Sequence, residues 1–216
     1  MAGPSATVFF DLDGTLTDPA EGIVRCIEHA LEGMAQPIPD GAVLKSLIGP
    51  PLRASFVDLV GDQDADEGVR RYRERFGDVG WAENRVYDGI PETLKDLAAA
   101  GIRLYVATSK PQVFAERILE HFELAPYFDQ IFGSELDGTR SRKEELLAYA
   151  KSAVGLAGPG IMVGDRRFDV EGALANQLLP VGVTYGFGSR AELESAGAAA
   201  LVDEPLNLVP RLLSIR

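Results

Sequence analysis

Short apolar runs rich in Val, Ile and Phe alternate with amphipathic stretches, and the alternation is regular from about residue 86 onward. Such runs are typical of buried strands, and the stretches between them are typical of helices that cover a sheet. The alternation predicts an α/β fold, a Rossmann-like parallel sheet with helices on both faces. The predicted strands lie near 7–11, 103–108, 130–133, 160–164, 180–184 and 200–202. The predicted helices lie near 91–100, 111–122, 142–154, 168–176 and 205–214.

Residues 17–81 differ from the rest of the chain, because helical patterns follow one another there with no strand pattern between them. This stretch begins directly after the first predicted strand and ends before the second. We therefore predict a discontinuous catalytic core of residues 1–16 and 82–216 and an inserted helical cap of residues 17–81. An insert at the C-terminal end of a strand is placed to close over a ligand as a lid.

Composition and charge restrict the partners of this chain of 216 residues. The formal net charge of -12 argues against a nucleic-acid backbone or an anionic membrane as the main partner, because like charges repel. No apolar run approaches the roughly 18 residues of a membrane span, and the N-terminus does not resemble a secretory leader. The single Cys26 cannot form an internal disulfide. We expect a cytoplasmic monomer or homodimer with no nucleic-acid or membrane partner.

Two carboxylates, Asp11 and Asp13, follow the first predicted strand in the segment FFDLDGT. Open parallel sheets bind ligands at the C-terminal ends of their strands. One carboxylate could attack phosphorus to form an aspartyl-phosphate, while the other donates a proton to the leaving oxygen and then accepts one from water. The alternative is a β-hairpin, because Asp-Gly is a strong turn signal. The helical pattern after Gly14 favours the catalytic interpretation.

A second strand end carries groups that suit a phosphate. The strand near 103–108 ends in Thr108-Ser109-Lys110, and Pro111 is placed to begin a helix. Hydroxyl groups and free backbone N–H groups at a helix start can bind a phosphate. The alternative is that the Thr-Ser pair is an ordinary helix cap.

A lysine at a predicted helix start is a third candidate. Ser141 as N-cap and Glu144 at N3 fit a capping box, which places Lys143 in the first turn of the helix. The helix dipole disfavours a cation at this end, so a bound anion would explain Lys143. The alternative is an ordinary exposed lysine.

The segment IMVGDRRFD places Asp165 and Asp169 at the end of another predicted strand. Carboxylate oxygens clustered there with Asp11 suit Mg²⁺. The alternatives are that Asp165 forms a turn and that Asp169 is the N-cap of the next helix. We favour a metal ligand at Asp165, and both interpretations of Asp169 stay open.

In combination, these motifs resemble those of haloacid dehalogenase superfamily phosphatases with a helical cap inserted after the first motif, and the resemblance covers essentially the whole chain. It implies that Asp11 is the nucleophile and Asp13 the acid/base. It also implies that Thr108 and Lys143 bind the phosphoryl group. The implied Mg²⁺ ligands are Asp11, the backbone carbonyl of Asp13, and Asp165, with Asp169 supporting the metal directly or through water.

Finer segments indicate a branch of this superfamily. FDLDGTLTDPAEGI, YVATSKP and VGDRRFDVEGA are similar to phosphoglycolate phosphatases and bacterial 5′-nucleotidases, and GSELDGTRSRK is closer to the 5′-nucleotidase-like group. Many phosphoglycolate phosphatases carry Lys-Pro-x-Pro where this chain has Arg142-Lys143-Glu144-Glu145. The resemblance implies Mg²⁺-dependent hydrolysis of a small phosphorylated metabolite, either a nucleoside 5′-monophosphate or a phosphoglycolate-like compound.

Substrate selectivity is expected to come from the cap. In IGPPLRASF two prolines stiffen the loop that presents Arg53, and a guanidinium can bind a carboxylate or a second phosphate. We predict that Arg53 binds substrate together with Ser109 and Lys110. The alternative is that Arg53 is an ordinary solvated helix residue.

Two other functions stay open. One is phosphoryl transfer to an acceptor other than water, as in a phosphomutase or a protein-directed phosphatase or kinase. The other is a non-catalytic phosphate-binding module, against which the complete set of candidate catalytic side chains argues. Thr15 favours hydrolysis, because mutases of this superfamily often have Val there, and the presence of Asp13 disfavours dehalogenation, because true dehalogenases carry Tyr at that position.

Overall fold

The computed structural model describes residues 6–215. In chain order the strands are β1 (Thr7–Phe10), β2 (Thr17–Asp18), β3 (Arg85–Val86), β4 (Arg103–Pro111), β5 (Gln130–Ser134), β6 (Ile161–Gly164), β7 (Leu179–Val183) and β8 (Ala200–Val202). The α-helices are α1 (Ala20–Gly33), α2 (Gly41–Ser46), α3 (Leu52–Val60), α4 (Ala65–Arg75), α5 (Ile90–Ala99), α6 (Gln112–His121), α7 (Lys143–Ala153), α8 (Arg167–Ala175), α9 (Arg190–Ala196) and α10 (Leu208–Ser214). The chain divides into two units, Met1–Thr17 with Val86–Arg216, and Asp18–Arg85.

The first unit is built on a six-stranded sheet in the order β5-β4-β1-β6-β7-β8. Neighbouring strands pair in parallel. Val8 of β1 lies opposite Leu104 of β4 and Ile161 of β6, so the ends of these three strands lie side by side. The predicted α/β fold with a parallel sheet is confirmed.

Large apolar side chains fill the layer between the sheet and its helices. Phe9, Tyr105 and Phe132 belong to one buried cluster with Leu146 of α7 and Met162 of β6. Every residue of β1 is buried, as expected for a strand that is covered on both faces. This packing fixes β1 at the centre of the sheet and therefore fixes where its C-terminal end lies.

The structure excludes one alternative for this unit and contains one helix that the sequence did not predict. The β-hairpin alternative is wrong, because β1 pairs in parallel with β4 and β6. The chain turns at Gly14, where the φ angle is 82° and the N–H donates to the Thr17 carbonyl (2.7 Å). Helix α9 was not predicted, because its one buried side chain, Leu193, gives no helical repeat of apolar residues.

The second unit contains α1 to α4, followed by a π-helical segment at Phe76–Gly80. Tyr72 stacks on Phe76 with ring centroids 5.4 Å apart and meets Phe56 edge-on at 6.3 Å. A Cβ on Gly68 would overlap the Phe56 ring, so this glycine lets α3 and α4 pack closely. Within residues 6–215, no helix has the length and apolar character needed to cross a membrane.

The first and last residues of the second unit lie next to each other in space. Asp18 Oδ2 lies 2.6 Å from an Arg85 guanidinium nitrogen, and these residues are the first and last of the unit. Strands β2 and β3, which contain them, form a two-stranded sheet. The insert therefore leaves and re-enters the first unit at one place.

Candidate active site

Three carboxylates meet at the C-terminal ends of the central strands. Asp11 follows β1, Asp165 follows β6, and Asp169 lies in the first turn of α8. The Asp11 N–H donates to the Val163 carbonyl (2.9 Å), which continues the pairing of β1 with β6 to this point. Asp11, Asp165 and Asp169 each offer a carboxylate oxygen within 4.8 Å of the other two, and all three residues are buried.

Lys143 extends into this cluster from the start of α7. Its Nζ lies 3.0 Å from Asp11 Oδ1 and 2.8 Å from Asp169 Oδ1, and it donates to the Ala107 carbonyl (2.9 Å). Although burial lowers the pKa of Lys143, the charges of Asp11 and Asp169 raise it above its ordinary value. The exposed-lysine alternative is therefore wrong, because the residue is only 4% exposed.

The predicted capping box at this helix is also wrong. Helix α7 begins at Lys143 with Arg142 as N-cap and no side-chain cap. Ser141 instead closes a turn, with its N–H donating to the Gly138 carbonyl (3.0 Å), so the helix starts one residue later than predicted. Space for the lysine comes from α8, where a Cβ on Gly172 would lie 2.8 Å from Lys143 Cγ.

Asp13 forms an ion pair with Lys110. The pair uses Asp13 Oδ2, and within residues 6–215 the buried Oδ1 has no hydrogen-bond partner. Burial raises the pKa of Asp13, and the Lys110 ammonium opposes part of that rise. A carboxyl group with a raised pKa and an unengaged oxygen is suited to transfer protons.

Asp169 connects α8 to the cluster. The helix begins at Arg167, which places Asp169 third in α8, so the N-cap alternative is wrong. Its Oδ2 accepts the Arg166 N–H (3.1 Å), while its Oδ1 faces Lys143. Burial raises the pKa of Asp169 to about 6, despite the opposing charge of Lys143.

Asp165 is fully buried, and its two carboxylate oxygens are contacted by one group outside the predicted motifs and one inside them. Its Oδ2 accepts the Phe187 N–H (2.8 Å), and its Oδ1 receives a long contact of 3.5 Å from Thr15 Oγ1. Burial, followed by the charges of Asp169 and Asp11, raises the pKa of Asp165 well above its ordinary value. Sequence reasoning missed Phe187, although it follows β7, whose end lies beside that of β6 in the same sheet.

Thr108 and Ser109, the two hydroxyl residues near the end of β4, lie in the same unit as the carboxylates. Thr108 is buried, and its Oγ1 accepts the Lys110 N–H (3.3 Å). The Ser109 carbonyl accepts the Ser134 hydroxyl (2.8 Å). Helix α6 begins after Pro111 with no side-chain cap, so the ordinary-cap interpretation of the Thr-Ser pair is wrong.

Arg53 belongs to the second unit. Its guanidinium pairs with Asp62 (3.0 Å) and Asp66 (2.8 Å) of the same unit, and its side chain is half exposed. Arg53 therefore belongs to a group of ion pairs on the surface. That it contacts substrate stays a prediction.

The donor set fits a hard divalent cation. The cluster offers the oxygens of three carboxylates, which are ligands that Mg²⁺ prefers, and it holds them close together away from solvent. When all four carboxylates of Asp11, Asp13, Asp165 and Asp169 are ionised, the ammonium groups of Lys110 and Lys143 balance two of them, and two formal negative charges are left for a cation. Burial is the main cause of the raised pKa values of Asp165 and Asp169, and the charges of neighbouring carboxylates add to the rise.

Comparison with known families gives a match over most of the chain. Residues 8–183 match the family described as haloacid dehalogenase-like hydrolase. A crystal structure of a predicted phosphatase from Clostridium acetobutylicum superposes with a TM-score of 0.93 at 44% identity, covering 99% of this chain and all of that one. The matched range contains every carboxylate and lysine of the cluster described above.

Two relatives carry different names. A 5′-nucleotidase from Pseudomonas aeruginosa is 50% identical over 191 residues, covering 87% of this chain and 86% of the relative. Tyrosine-protein kinase PtkA from Mycobacterium tuberculosis is 40% identical over 203 residues, covering 91% of this chain and 70% of the relative. Both names concern phosphoryl groups, although one describes hydrolysis and the other transfer.

Proposed function

The chain belongs to the haloacid dehalogenase-like hydrolases, and from this we propose that it hydrolyses the phosphomonoester bond of a small metabolite with Asp11 as nucleophile. The observation that carries the proposal is that the two aspartates after β1 have different contacts, which suit them to different roles. Asp11 lies against Lys143 and the carboxylate cluster, whereas Asp13 pairs with Lys110 and has one oxygen without a hydrogen-bond partner among the described residues.

The contacts of Asp11 favour one of its oxygens as the attacking atom. Oδ1 receives the Leu12 N–H (2.8 Å) and lies 3.0 Å from Lys143 Nζ, so we assign the attack on phosphorus to Oδ2. The new bond joins Oδ2 to phosphorus as the bond to the leaving oxygen breaks. Lys143, with its raised pKa, stays charged and offsets the negative charge of the phosphoryl group.

Asp13 is the proposed acid and then the base. Burial raises the pKa of Asp13, so it holds a proton more readily than an ordinary aspartate does, and Oδ1 can give that proton to the leaving oxygen. The resulting carboxylate then takes a proton from the water that attacks the aspartyl-phosphate. The water oxygen bonds to phosphorus as the bond between Asp11 Oδ2 and phosphorus breaks. Phosphate is released and Asp11 is regenerated, so protons and oxygen atoms balance over the cycle.

Magnesium is the proposed cofactor, held by Asp11, the Asp13 backbone carbonyl and Asp165, with Asp169 in support. Bound there, the ion would balance the negative charge of the carboxylates and the phosphate. We expect Mg²⁺ to raise the melting temperature of the wild-type protein but not that of Asp165→Asn. If Mg²⁺ does not change the melting temperature of the wild type, magnesium is not the cofactor.

The proposed substrate class is nucleoside 5′-monophosphates, with phosphoglycolate-like compounds second. The 50% identity to a 5′-nucleotidase supports the first choice. The test is phosphate release from a panel of phosphorylated metabolites with Mg²⁺, ranked by kcat/KM. Asp11→Asn should lower kcat by more than roughly 10³-fold, whereas Asp96→Asn on the exposed face of α5 should not. Full turnover by Asp11→Asn would disprove the proposed nucleophile.

Phosphoryl transfer to a protein is the second candidate, and the kinase relative is the observation that favours it. Hydrolysis and transfer differ in where the phosphoryl group ends. With radiolabelled ATP and a tyrosine-containing protein acceptor, transfer would place label on tyrosine, whereas hydrolysis yields free phosphate. Label on tyrosine at a rate above that of phosphate release would favour this candidate over the first.

Arg53 stays a proposed substrate contact. Its present partners, Asp62 and Asp66, are exposed, and surface ion pairs of this kind contribute little, so a substrate anion can replace them. We expect Arg53→Ala to lower kcat/KM for the best substrate. A change of less than about twofold, which corresponds to under roughly 0.5 kcal/mol, would refute this role.

A further inference from the structure

A loop outside the recognised motifs packs against both the Asp165 carboxylate and the turn after β1. It consists of residues 184–188 and directly follows β7. The Phe187 N–H donates to Asp165 Oδ2 (2.8 Å), and the Tyr185 hydroxyl donates to the Thr15 carbonyl (3.0 Å). The 184–188 loop thus binds two separate segments of the site, one after β6 and one after β1.

Two glycines allow this close approach. A Cβ on Gly186 would lie 2.6 Å from Asp165 Oδ2 and would also overlap the Gly14 carbonyl oxygen. A Cβ on Gly188 would overlap the Asp165 carbonyl oxygen. The backbone of the loop therefore lies directly on Asp165, and any side chain at either glycine would push it away.

The hydrogen bond from Phe187 distinguishes the two oxygens of Asp165. Oδ2 accepts a well-formed hydrogen bond, whereas the contact that Oδ1 receives within residues 6–215 is the one of 3.5 Å from Thr15 Oγ1, at the limit of hydrogen bonding. A carboxylate fixed through one oxygen presents the other in a defined direction. Such supporting bonds orient metal ligands in many proteins.

We propose that the 184–188 loop is a positioning element of the metal site, in which the Phe187 backbone N–H fixes Asp165 so that Oδ1 is presented to Mg²⁺. The proposal rests on the proposed function, which makes Asp165 a magnesium ligand. A neutral backbone donor suits the task, because it orients the carboxylate without adding a positive charge that would compete with the ion.

The test compares Mg²⁺ binding by isothermal titration calorimetry in two substitutions at one position. Phe187→Pro removes the N–H, and we expect the Kd for Mg²⁺ to rise about 10- to 100-fold. Phe187→Ala keeps the N–H and should stay within about twofold of the wild type. Melting in metal-free buffer checks that each variant is folded.

A second pair of variants provides a test that does not depend on introducing a proline, which can prevent folding. Gly186→Ala crowds Asp165 and should also raise the Kd at least tenfold, whereas Gly158→Ala adds a methyl group where no atom lies within 4 Å and should not. If Phe187→Pro does not fold, the alanine pair decides the outcome. An unchanged Kd in the folded Phe187 and Gly186 variants would overturn the positioning role alone, while a wild type that binds no Mg²⁺ would overturn the metal assignment as well.

Discussion

Lys143 is the residue on which the charge balance of the site most depends. It is buried with Asp11 and Asp169 on either side of its ammonium group, and a backbone carbonyl completes its contacts. The carboxylates need this cation in the folded protein whether or not phosphate is present. Its contribution to stability can therefore be measured separately from its contribution to activity.

Replacing Lys143 by Met should destabilise the metal-free protein. The substitution keeps most of the side-chain volume but leaves buried carboxylates without their cation, which costs about 3–5 kcal/mol when one partner of a buried pair is lost. Urea unfolding of the wild type and Lys143→Met in buffer containing a chelator measures the difference.

A matched control is Lys95→Met on α5, where the lysine is exposed. Surface substitutions of this kind usually change the unfolding free energy by less than about 0.5 kcal/mol. Equal unfolding midpoints for Lys143→Met and the wild type would show that the carboxylates do not need the lysine, in conflict with the charge balance described here.

At the scale of elements, the strand ends were more predictable than the groups that support them. Asp11 and Asp165 could be predicted because buried apolar runs end beside them, and a parallel sheet brings such ends together. Lys143 was predicted from a helix start, and it does lie in the first turn of α7 although the expected capping box does not form.

Phe187 could not be predicted, because its role belongs to a backbone N–H that any residue except proline supplies. The prediction that Ser141 caps α7 was wrong for a related reason. Whether a serine caps a helix depends on the backbone before it, and here the Ser141 N–H closes a turn with Gly138.

The helical unit contains an ion-pair group that gives it a defined response to acid. Glu83 accepts two hydrogen bonds from Arg75 (2.6 and 2.9 Å) and one from Arg25 (2.8 Å), which connects α4 to α1. Mainly through Arg75, these bonds lower the pKa of Glu83 from 4.5 to about 2. Because the folded-state pKa is depressed, the stabilisation is present above the unfolded value of 4.5 and is lost as the pH falls towards 2.

We expect Glu83→Gln to destabilise the protein by about 1 kcal/mol at neutral pH, the upper range for a partly exposed pair. The difference from the wild type should be constant above the unfolded pKa and should shrink below pH 4.5 as Glu83 itself takes up a proton. Urea unfolding of both proteins across this pH range gives the comparison. A difference that grows on acidification would contradict the assigned direction of the pKa.

At the scale of the whole molecule, the adjacent ends of the insert predict that the two units are separable. The first unit has its own sheet and buried cluster, and all the carboxylates and lysines of the candidate site belong to it. Replacing residues 19–84 by a short Gly-Ser linker should leave a core that unfolds cooperatively and still melts at a higher temperature with Mg²⁺. Calorimetry with and without the metal tests both parts.

The same deletion combined with Asp165→Asn serves as the control, since it should fold but lose the response to Mg²⁺. A deletion protein without a cooperative transition would show that the core depends on the insert for its stability. Selectivity among substrates should fall in the deletion protein even where turnover persists, because the insert contains Arg53, the proposed substrate contact.

Gly172 has a consequence for how relatives of this chain are sorted. It contributes no charge and no hydrogen-bonding side chain, yet Lys143 Cγ lies only 2.8 Å from the place that its Cβ would take. A sequence with every aspartate and lysine of the site but a bulky residue at this position would have a complete set of motifs and no room for its lysine. Surveys of genomes that score only the charged positions would count such a protein as a working enzyme, so a small residue here is a further criterion for separating active members from inactive ones.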